Sequence, residues 1–144
     1  MRNVLHVRDA ALGLALIIEH PEHAIGQAYN LVGSTTLSWG QWHNTVLDIL
    51  GKPEELAVEI PIETLEAYGC PTMEQYKMSW QYHGFYSGEK LHRHLPEFVE
   101  RVPLRQGVSE QLEFLMKNGL IGNSDESVWE DEAIRAQLKT RVRG

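Results

Sequence analysis

Cysteine is almost absent from this sequence, since Cys70 is the only one in 144 residues. A single cysteine cannot form an internal disulfide, and it cannot build a four-cysteine zinc site. Sparing use of cysteine is typical of proteins that work in a reducing compartment. The composition therefore predicts a cytoplasmic protein.

Positive charge is also scarce. The chain has 13 lysines and arginines against 20 aspartates and glutamates, which gives a formal net charge of −7. Binding to nucleic acid or to an anionic membrane surface depends on clustered lysine and arginine, so we expect neither partner. No apolar run reaches the roughly 18 residues that span a bilayer. Polar residues at positions 2, 6, 8 and 9 also predict that the N-terminal stretch is not a secretory signal.

A glycine-rich phosphate loop is the third absence. The glycines are scattered, and no three of them form the Gly-x-x-Gly-x-x-Gly spacing that lets a backbone approach a pyrophosphate at a helix N-terminus. What the chain does have is an apolar fraction of 42%, which is enough for a packed core. Its length fits one domain of ordinary size.

Cap and turn residues divide the chain into a helix-rich pattern with two or three short strands. Branched residues indicate strands over 3–7 and 27–32, with another over 56–60. Asp9 is the expected N-cap of a helix over 10–20, and Ser38 with Gln41 forms a capping-box pattern. Further helices are expected over 38–50, 61–68, 72–83, 87–95, 103–118 and 127–142. This pattern predicts an α+β fold.

The chain shows no boundary that would divide it into two folding units. Residues 120–127 are the best candidate for a linker. We therefore expect residues 1–119 to form the main unit and residues 120–144 to form a C-terminal helical extension.

Four short motifs follow one another along the chain. Their residues are Arg2, His6, Val7, Asp9 and Ala11; Gly26, Tyr29, Asn30, Leu31 and Gly33; Gly51, Lys52 and Pro53; and Lys90, Leu91, Leu95, Pro103 and Gly107. In order and spacing they resemble the C-terminal part of the NAD-dependent epimerase/dehydratase family, the extended short-chain dehydrogenases. The resemblance covers about residues 2–118.

This resemblance implies a substrate-side fragment of an α/β Rossmann-type enzyme. A full-length relative uses NAD or NADP as an epimerase, dehydratase or reductase, but its cofactor motif lies in a half that this sequence does not contain. We therefore expect the chain to hold no cofactor or metal and to catalyse nothing alone.

Arg2 is the predicted substrate-binding residue. In members of the family that act on nucleotide sugars, the matching arginine contacts the substrate's diphosphate, and a guanidinium forks well onto phosphate oxygens. The alternative is a solvated arginine near the start of the chain. Residues 78–86 replace a phosphate-binding segment that is common in the family, which makes a nucleotide sugar doubtful and leaves a different small molecule open.

Tyr86 and Lys90 have the Tyr-x-x-x-Lys spacing of the catalytic pair of short-chain dehydrogenases, in which a lysine lowers the pKa of a tyrosine on the same helical face. The family's own pair lies upstream of the motif that begins at Arg2, and Gly88 weakens a helix here. We therefore predict no catalytic residue in this chain.

Other polar residues have structural interpretations. His6 is expected to be a packed polar side chain. The two close histidine pairs, His20 with His23 and His92 with His94, have no third ligand at metal spacing and are expected on the surface.

Two functions remain open from the sequence. The first is the substrate-side portion of an epimerase/dehydratase-like enzyme, whose partner is the missing nucleotide-binding domain. The second is a non-catalytic interaction module on the same scaffold, which assembles as a homodimer or a larger oligomer. The first follows from the family resemblance. The second follows from the predicted helix over 10–18, which is apolar nearly all round and must be covered.

Overall fold

The computed structural model describes residues 1–141 and is rich in helix, with 58% of residues helical. A short antiparallel sheet joins β1 (Arg2–Asn3) to β2 (Thr36–Leu37). The α-helices are α1 (Val7–Glu19), α2 (Pro21–Ala24), α3 (Trp39–Ile49), α4 (Ile62–Ala67), α5 (Met73–Gln75), α6 (Glu89–His94), α7 (Leu104–Lys117) and α8 (Val128–Arg141). A π-helix (Tyr76–Trp80) continues α5, and 3-10 turns cover Glu54–Leu56 and Ser124–Glu126. The predicted α+β class agrees with this architecture.

The start of α1 differs from the prediction. The N-cap is His6, whose Nδ1 accepts a hydrogen bond from the Arg8 N–H at 3.2 Å. This cap draws Val7 into the helix and limits the first strand to Arg2–Asn3, so the predicted strand over 3–7 is too long. Asp9 lies inside the first turn of α1 and is not its cap.

The other two predicted strands are wrong among the described residues. Residues 27–32 are extended but have no ladder partner, because β1 pairs with β2. Side chains from the region of α6 hold this segment instead: Lys90 Nζ donates to the Ala28 carbonyl at 3.0 Å. Residues 56–60 follow a 3-10 turn and likewise pair with nothing described.

The long helices agree better with the sequence. The capping box at α3 forms as expected, with Gln41 N–H donating to Ser38 Oγ at 3.1 Å and Ser38 N–H donating to Gln41 Oε1 at 2.9 Å. Gly51 and Gly119 follow α3 and α7 with φ of 63°, the left-handed conformation that ends a helix most easily at glycine. The predicted end of the last helix at Val142 lies outside the described residues.

The core lies between α1, the extended segment 27–32 and α6. Leu91, Leu95 and Phe98 are each 1% exposed. Apolar side chains that pack against these three are Leu5, Leu16, Ile17, Tyr29 and Leu31. The core therefore joins residues of the second and fourth motifs, and Leu5 lies within the span of the first.

The C-terminal extension folds back onto the middle of the chain. Helix α8 packs on α4, and Ala133 is fully buried. Residues 120–127 cross between α7 and α8 through the second 3-10 turn. In the part of the chain from residue 1 to residue 141, no helix combines the length and the apolar character needed to cross a membrane.

Candidate functional site

Arg2 lies in β1, and its side chain reaches the π-helix. Its Nη2 donates to both Ser79 oxygens, at 2.5 Å to the carbonyl and 3.0 Å to Oγ. The backbone joins the same region, since Arg2 forms a parallel bridge with Gly84 and the Gly84 N–H donates to the Met1 carbonyl at 2.9 Å. Arg2 thus contacts residues 78–86, the segment in which the sequence departs from the motifs of the family that it resembles.

The Arg2 guanidinium has N–H donors that its contact with Ser79 does not use. A guanidinium has five N–H donors, and Ser79 occupies those of Nη2. The Arg2 Nε atom is buried without a partner, and Nη1 makes no hydrogen bond within residues 1–141. A buried donor without a partner is unfavourable unless an acceptor satisfies it. The Nε atom has no exposed surface through which a ligand could reach it, so the Nη1 donors are the ones left for an oxygen-rich, anionic group.

Aromatic side chains lie in and beside the π-helix. The Tyr76 ring meets Trp80 edge-on at 4.8 Å, and Trp80 lies 5.7 Å from Trp39. Burial raises the pKa of Tyr76, and electrostatic repulsion from Cys70 and Glu130 acts in the same direction. The phenol is therefore kept in its neutral form.

The outer side of this region is apolar and exposed. Its exposed side chains are Met78, Tyr82, Phe85 and Tyr86. A π-helix is often found at functional sites. Together with Arg2, these residues give the region one cationic side chain beside an exposed apolar surface.

Tyr86 and Lys90 do not form a pair. Tyr86 precedes α6, and its backbone N–H donates to Asn3 Oδ1 at 2.8 Å. The Lys90 ammonium turns away to the Ala28 carbonyl and stands 5.2 Å from the centre of the Tyr29 ring. The two residues therefore lack the shared helical face that an acid/base pair would need.

Asp9 and His6 connect α1 to the start of α7, through hydrogen bonds and through packing respectively. The Asp9 carboxylate is 2% exposed and accepts from the backbone N–H groups of Arg101 and Val102, at 3.1 and 3.0 Å. His6 packs so closely on Gly107 that a Cβ there would lie 2.8 Å from His6 Cδ2. Both residues have structural contacts, and the sequence did not indicate Asp9's partners.

A charged cluster covers the outside of this junction. Arg8 pairs with Glu110, and His6 Nε2 lies 3.8 Å from the same carboxylate. Hydrogen bonds from Gln106 and then Arg8 lower the pKa of Glu110. The cluster is exposed, so we expect it to add little stability.

Three histidines lie close together in the fold, although the sequence did not predict their proximity. His20 and His23 at α2 lie close to His94 at the end of α6, whereas the His92 ring packs on Phe98 at 5.4 Å. Among the residues that the structure describes, no three histidine, cysteine or acidic side chains stand where they could hold a metal ion.

Comparisons with protein-family models, with curated proteins and with solved structures found no match to this chain. The family resemblance therefore rests on the motif residues of the sequence alone.

The described residues show no pyrophosphate site of the Rossmann type. Pyrophosphate binding in the Rossmann arrangement needs a strand, a glycine-rich turn and a helix N-terminus. The long helices α1, α3, α7 and α8 begin after His6, Ser38, Pro103 and Ser127, and no glycine-rich turn precedes any of them. No step of NAD chemistry is therefore assigned to residues 1–141.

Proposed function

We propose that the chain is the substrate-side portion of an enzyme of the NAD-dependent epimerase/dehydratase type, acting in the cytoplasm. A nucleotide-binding domain, in the same protein or as a partner, supplies NAD or NADP. The chain supplies walls of the substrate pocket and the guanidinium of Arg2. By itself it performs no chemistry.

One observation carries this proposal: the motif residues contact one another across the fold. Asp9 of the first motif holds the backbone that leads into α7, and Lys90 of the fourth holds Ala28 and Tyr29 in the second. Gly33 of the second motif packs directly on the Val4 carbonyl within the first. Residues recognised only by order and spacing thus share one packing unit, which supports a common architectural origin.

The exposed apolar face of α1 supports the proposal that a partner covers this helix. Val7, Leu14 and Ile18 are 73%, 55% and 78% exposed, and they share a face with Ala11 and Ala15, which are also exposed. Positions seven and four apart line one side of a helix. A continuous apolar stripe of this kind usually marks an interface.

A binding experiment tests the role of Arg2. Isothermal titration calorimetry at about pH 8, where free imidazole is neutral, measures inorganic pyrophosphate binding to the full chain. We expect Arg2→Met to weaken binding by about tenfold or more, since a hydrogen bond to a charged group contributes about 1.5–3 kcal/mol. Arg2→Lys keeps the charge without the fork and should fall between wild type and Arg2→Met.

Two controls separate binding from folding. Arg135→Met removes an exposed arginine paired within α8 and should leave pyrophosphate binding unchanged. Ser79→Ala removes one partner of Arg2 without changing its charge and should retain binding. If Arg2→Met binds pyrophosphate like wild type, Arg2 has no such role. If the isolated chain binds NAD tightly, the proposal that the cofactor site lies elsewhere is wrong.

A second function is favoured by the same stripe on α1: a homodimer that buries this face against a second copy. Ala11 and Ala15 lie in the middle of the stripe and would let two antiparallel helices approach closely. Arg8 and Glu19 lie at its opposite ends, so antiparallel pairing brings unlike charges together.

Analytical ultracentrifugation tests this second function by measuring whether the chain is a monomer or a dimer. At tens of micromolar, we expect a dimer that Leu14→Glu converts to a monomer, because a buried carboxylate without a partner is strongly unfavourable at an apolar interface. Leu56→Glu is the matched control, since Leu56 is 60% exposed away from α1. A wild-type chain that sediments as a monomer would rule out the dimer.

A further inference from the structure

A second candidate site lies away from Arg2, in an open cleft between α2 and the C-terminal end of α6. The cleft has a volume of about 550 Å³, within the range of small-molecule sites. Its polar walls are His20, His23, Arg93, His94 and Glu97. Consecutive imidazole rings lie 6.3 and 6.1 Å apart, from His20 to His23 and from His23 to His94.

Hydrogen bonds determine which nitrogen of His94 carries the proton. The Tyr29 hydroxyl donates its single proton to the His23 carbonyl at 2.5 Å. The Tyr29 oxygen also lies 2.7 Å from His94 Nδ1, and in that contact it can only accept. The proton of neutral His94 is therefore on Nδ1, and Nε2 is left without one.

The same reasoning applies to His20. Its Nδ1 lies 3.0 Å from Glu22 Oε1, and an ionised carboxylate can only accept. The pKa of Glu22 is lowered by a hydrogen bond from its own backbone and then by the His20 side chain, which keeps the carboxylate ionised. Protonation of either imidazole therefore adds a new N–H donor at Nε2.

The charges around the cleft favour an anion over a metal ion. Arg93 makes no hydrogen bond or ion pair within residues 1–141, and its guanidinium would repel a cation. Other charged groups nearby are Lys90, which stands over the Tyr29 ring, and the carboxylates Glu22 and Glu97. Glu22 is shared between His20 and His23. With all three imidazoles protonated, the positive groups around the cleft would outnumber the two carboxylates, Glu22 and Glu97.

We propose that this cleft binds a tetrahedral oxyanion, the phosphate group of a small phosphate monoester, and takes up protons as it does so. The Arg93 guanidinium forks onto two oxygens, and protonated His20 and His94 donate from Nε2. His23 adds positive charge between them. This site is separate from the one at Arg2, so either can exist without the other.

Calorimetry with sulfate tests the proposal on the full chain. Sulfate has the shape and charge of a phosphate dianion but does not titrate between about pH 5.5 and 8, where imidazole changes its charge. With ionic strength held constant by sodium chloride, we expect binding to be at least about tenfold tighter at the lower pH. Repeating the titration in buffers of different ionisation enthalpy should show net proton uptake by the protein.

Variants assign the effect to residues. Arg93→Met should weaken sulfate binding about tenfold at both pH values. His20→Gln should reduce the proton uptake, and so should His94→Gln. Because His94→Gln also loses a contact with Tyr29, His20→Gln serves as the variant that leaves this contact intact. Arg135→Met and His43→Gln are controls outside the cleft and should bind sulfate like wild type.

A competition experiment separates phosphate recognition from general charge. Methyl phosphate should displace sulfate at low millimolar concentration or below, whereas acetate at equal ionic strength should not. The proposal is overturned if sulfate affinity is the same at both pH values, if Arg93→Met binds like Arg135→Met, or if acetate competes as well as methyl phosphate. Loss of sulfate binding in Arg2→Met would instead place the anion at the first site.

Discussion

Asp9→Ala should lower the free energy of unfolding by about 3 kcal/mol, because hydrogen bonds to a charged, buried acceptor contribute about 1.5–3 kcal/mol each. The Asp9 carboxylate is buried and accepts from the Arg101 and Val102 N–H groups. Without it, two backbone donors in the approach to α7 lose their acceptors. The carboxylate also lies in the first turn of α1, where the helix dipole favours negative charge.

Urea denaturation followed by circular dichroism measures this loss. Asp9→Asn keeps one acceptor oxygen but directs an amide N–H group at the second donor, so it should lose a comparable or somewhat smaller amount. Glu19→Ala removes an exposed acid from the other end of the same helix and should change stability by less than about 0.5 kcal/mol. A loss below about 1 kcal/mol in Asp9→Ala would mean that the two backbone groups find other partners.

Gly33→Ala is expected to cost about 2–3 kcal/mol, in the range of overpacked sites. A Cβ on Gly33 would lie 1.9 Å from the Val4 carbonyl oxygen and 3.0 Å from Glu100 Oε2. The backbone cannot move aside freely, since the Val4 N–H donates to the Thr35 carbonyl at 3.0 Å beside the sheet. Relief of the clash would therefore disturb the pairing of β1 with β2, which places Arg2.

Gly122→Ala is the matched control for Gly33→Ala. Nothing lies within 4 Å of a Cβ on Gly122, and its φ is not positive. Its effect on the unfolding midpoint should stay within about 0.5 kcal/mol. Equal midpoints for the two variants would show that the approach of Val4 to Gly33 does not constrain the fold. Pyrophosphate titration of Gly33→Ala would then report whether the position of Arg2 depends on this contact.

The helices of this protein could be predicted because their signals are local. Ser38 and Gln41 lie three residues apart and satisfy each other, and Gly119 ends α7 one residue after the cap. Asp9 shows the limit of that approach. Its residue type suits an N-cap, but its partners are more than 90 positions away, and His6 takes the capping role instead.

The strands could not be predicted because pairing depends on distant residues. Residues 27–32 have strand-like composition, but β1 meets Thr36–Leu37, and the Lys90 side chain satisfies the Ala28 carbonyl. The apolar face of α1, in contrast, was expected from its sequence, and its exposure agrees with that pattern.

The candidate site could be predicted only in part. The family resemblance singled out Arg2, but nothing in the sequence indicated that Ser79 would receive its guanidinium. The sequence gave no signal for the phosphate cleft. His20 and His94 are far apart along the chain, and neither has a third ligand at metal-binding spacing. Only the packing of α2 beside α6 brings them together.

The docking of α8 on α4 has a consequence for how the chain is made. During synthesis, domains form from the N-terminus onward as the chain leaves the ribosome. Helix α4 precedes α8 by some sixty positions, and α8 carries the fully buried Ala133. Helix α4 therefore has no α8 to pack against during most of synthesis. The surface of α4 that α8 covers stays exposed until α8 has left the ribosome.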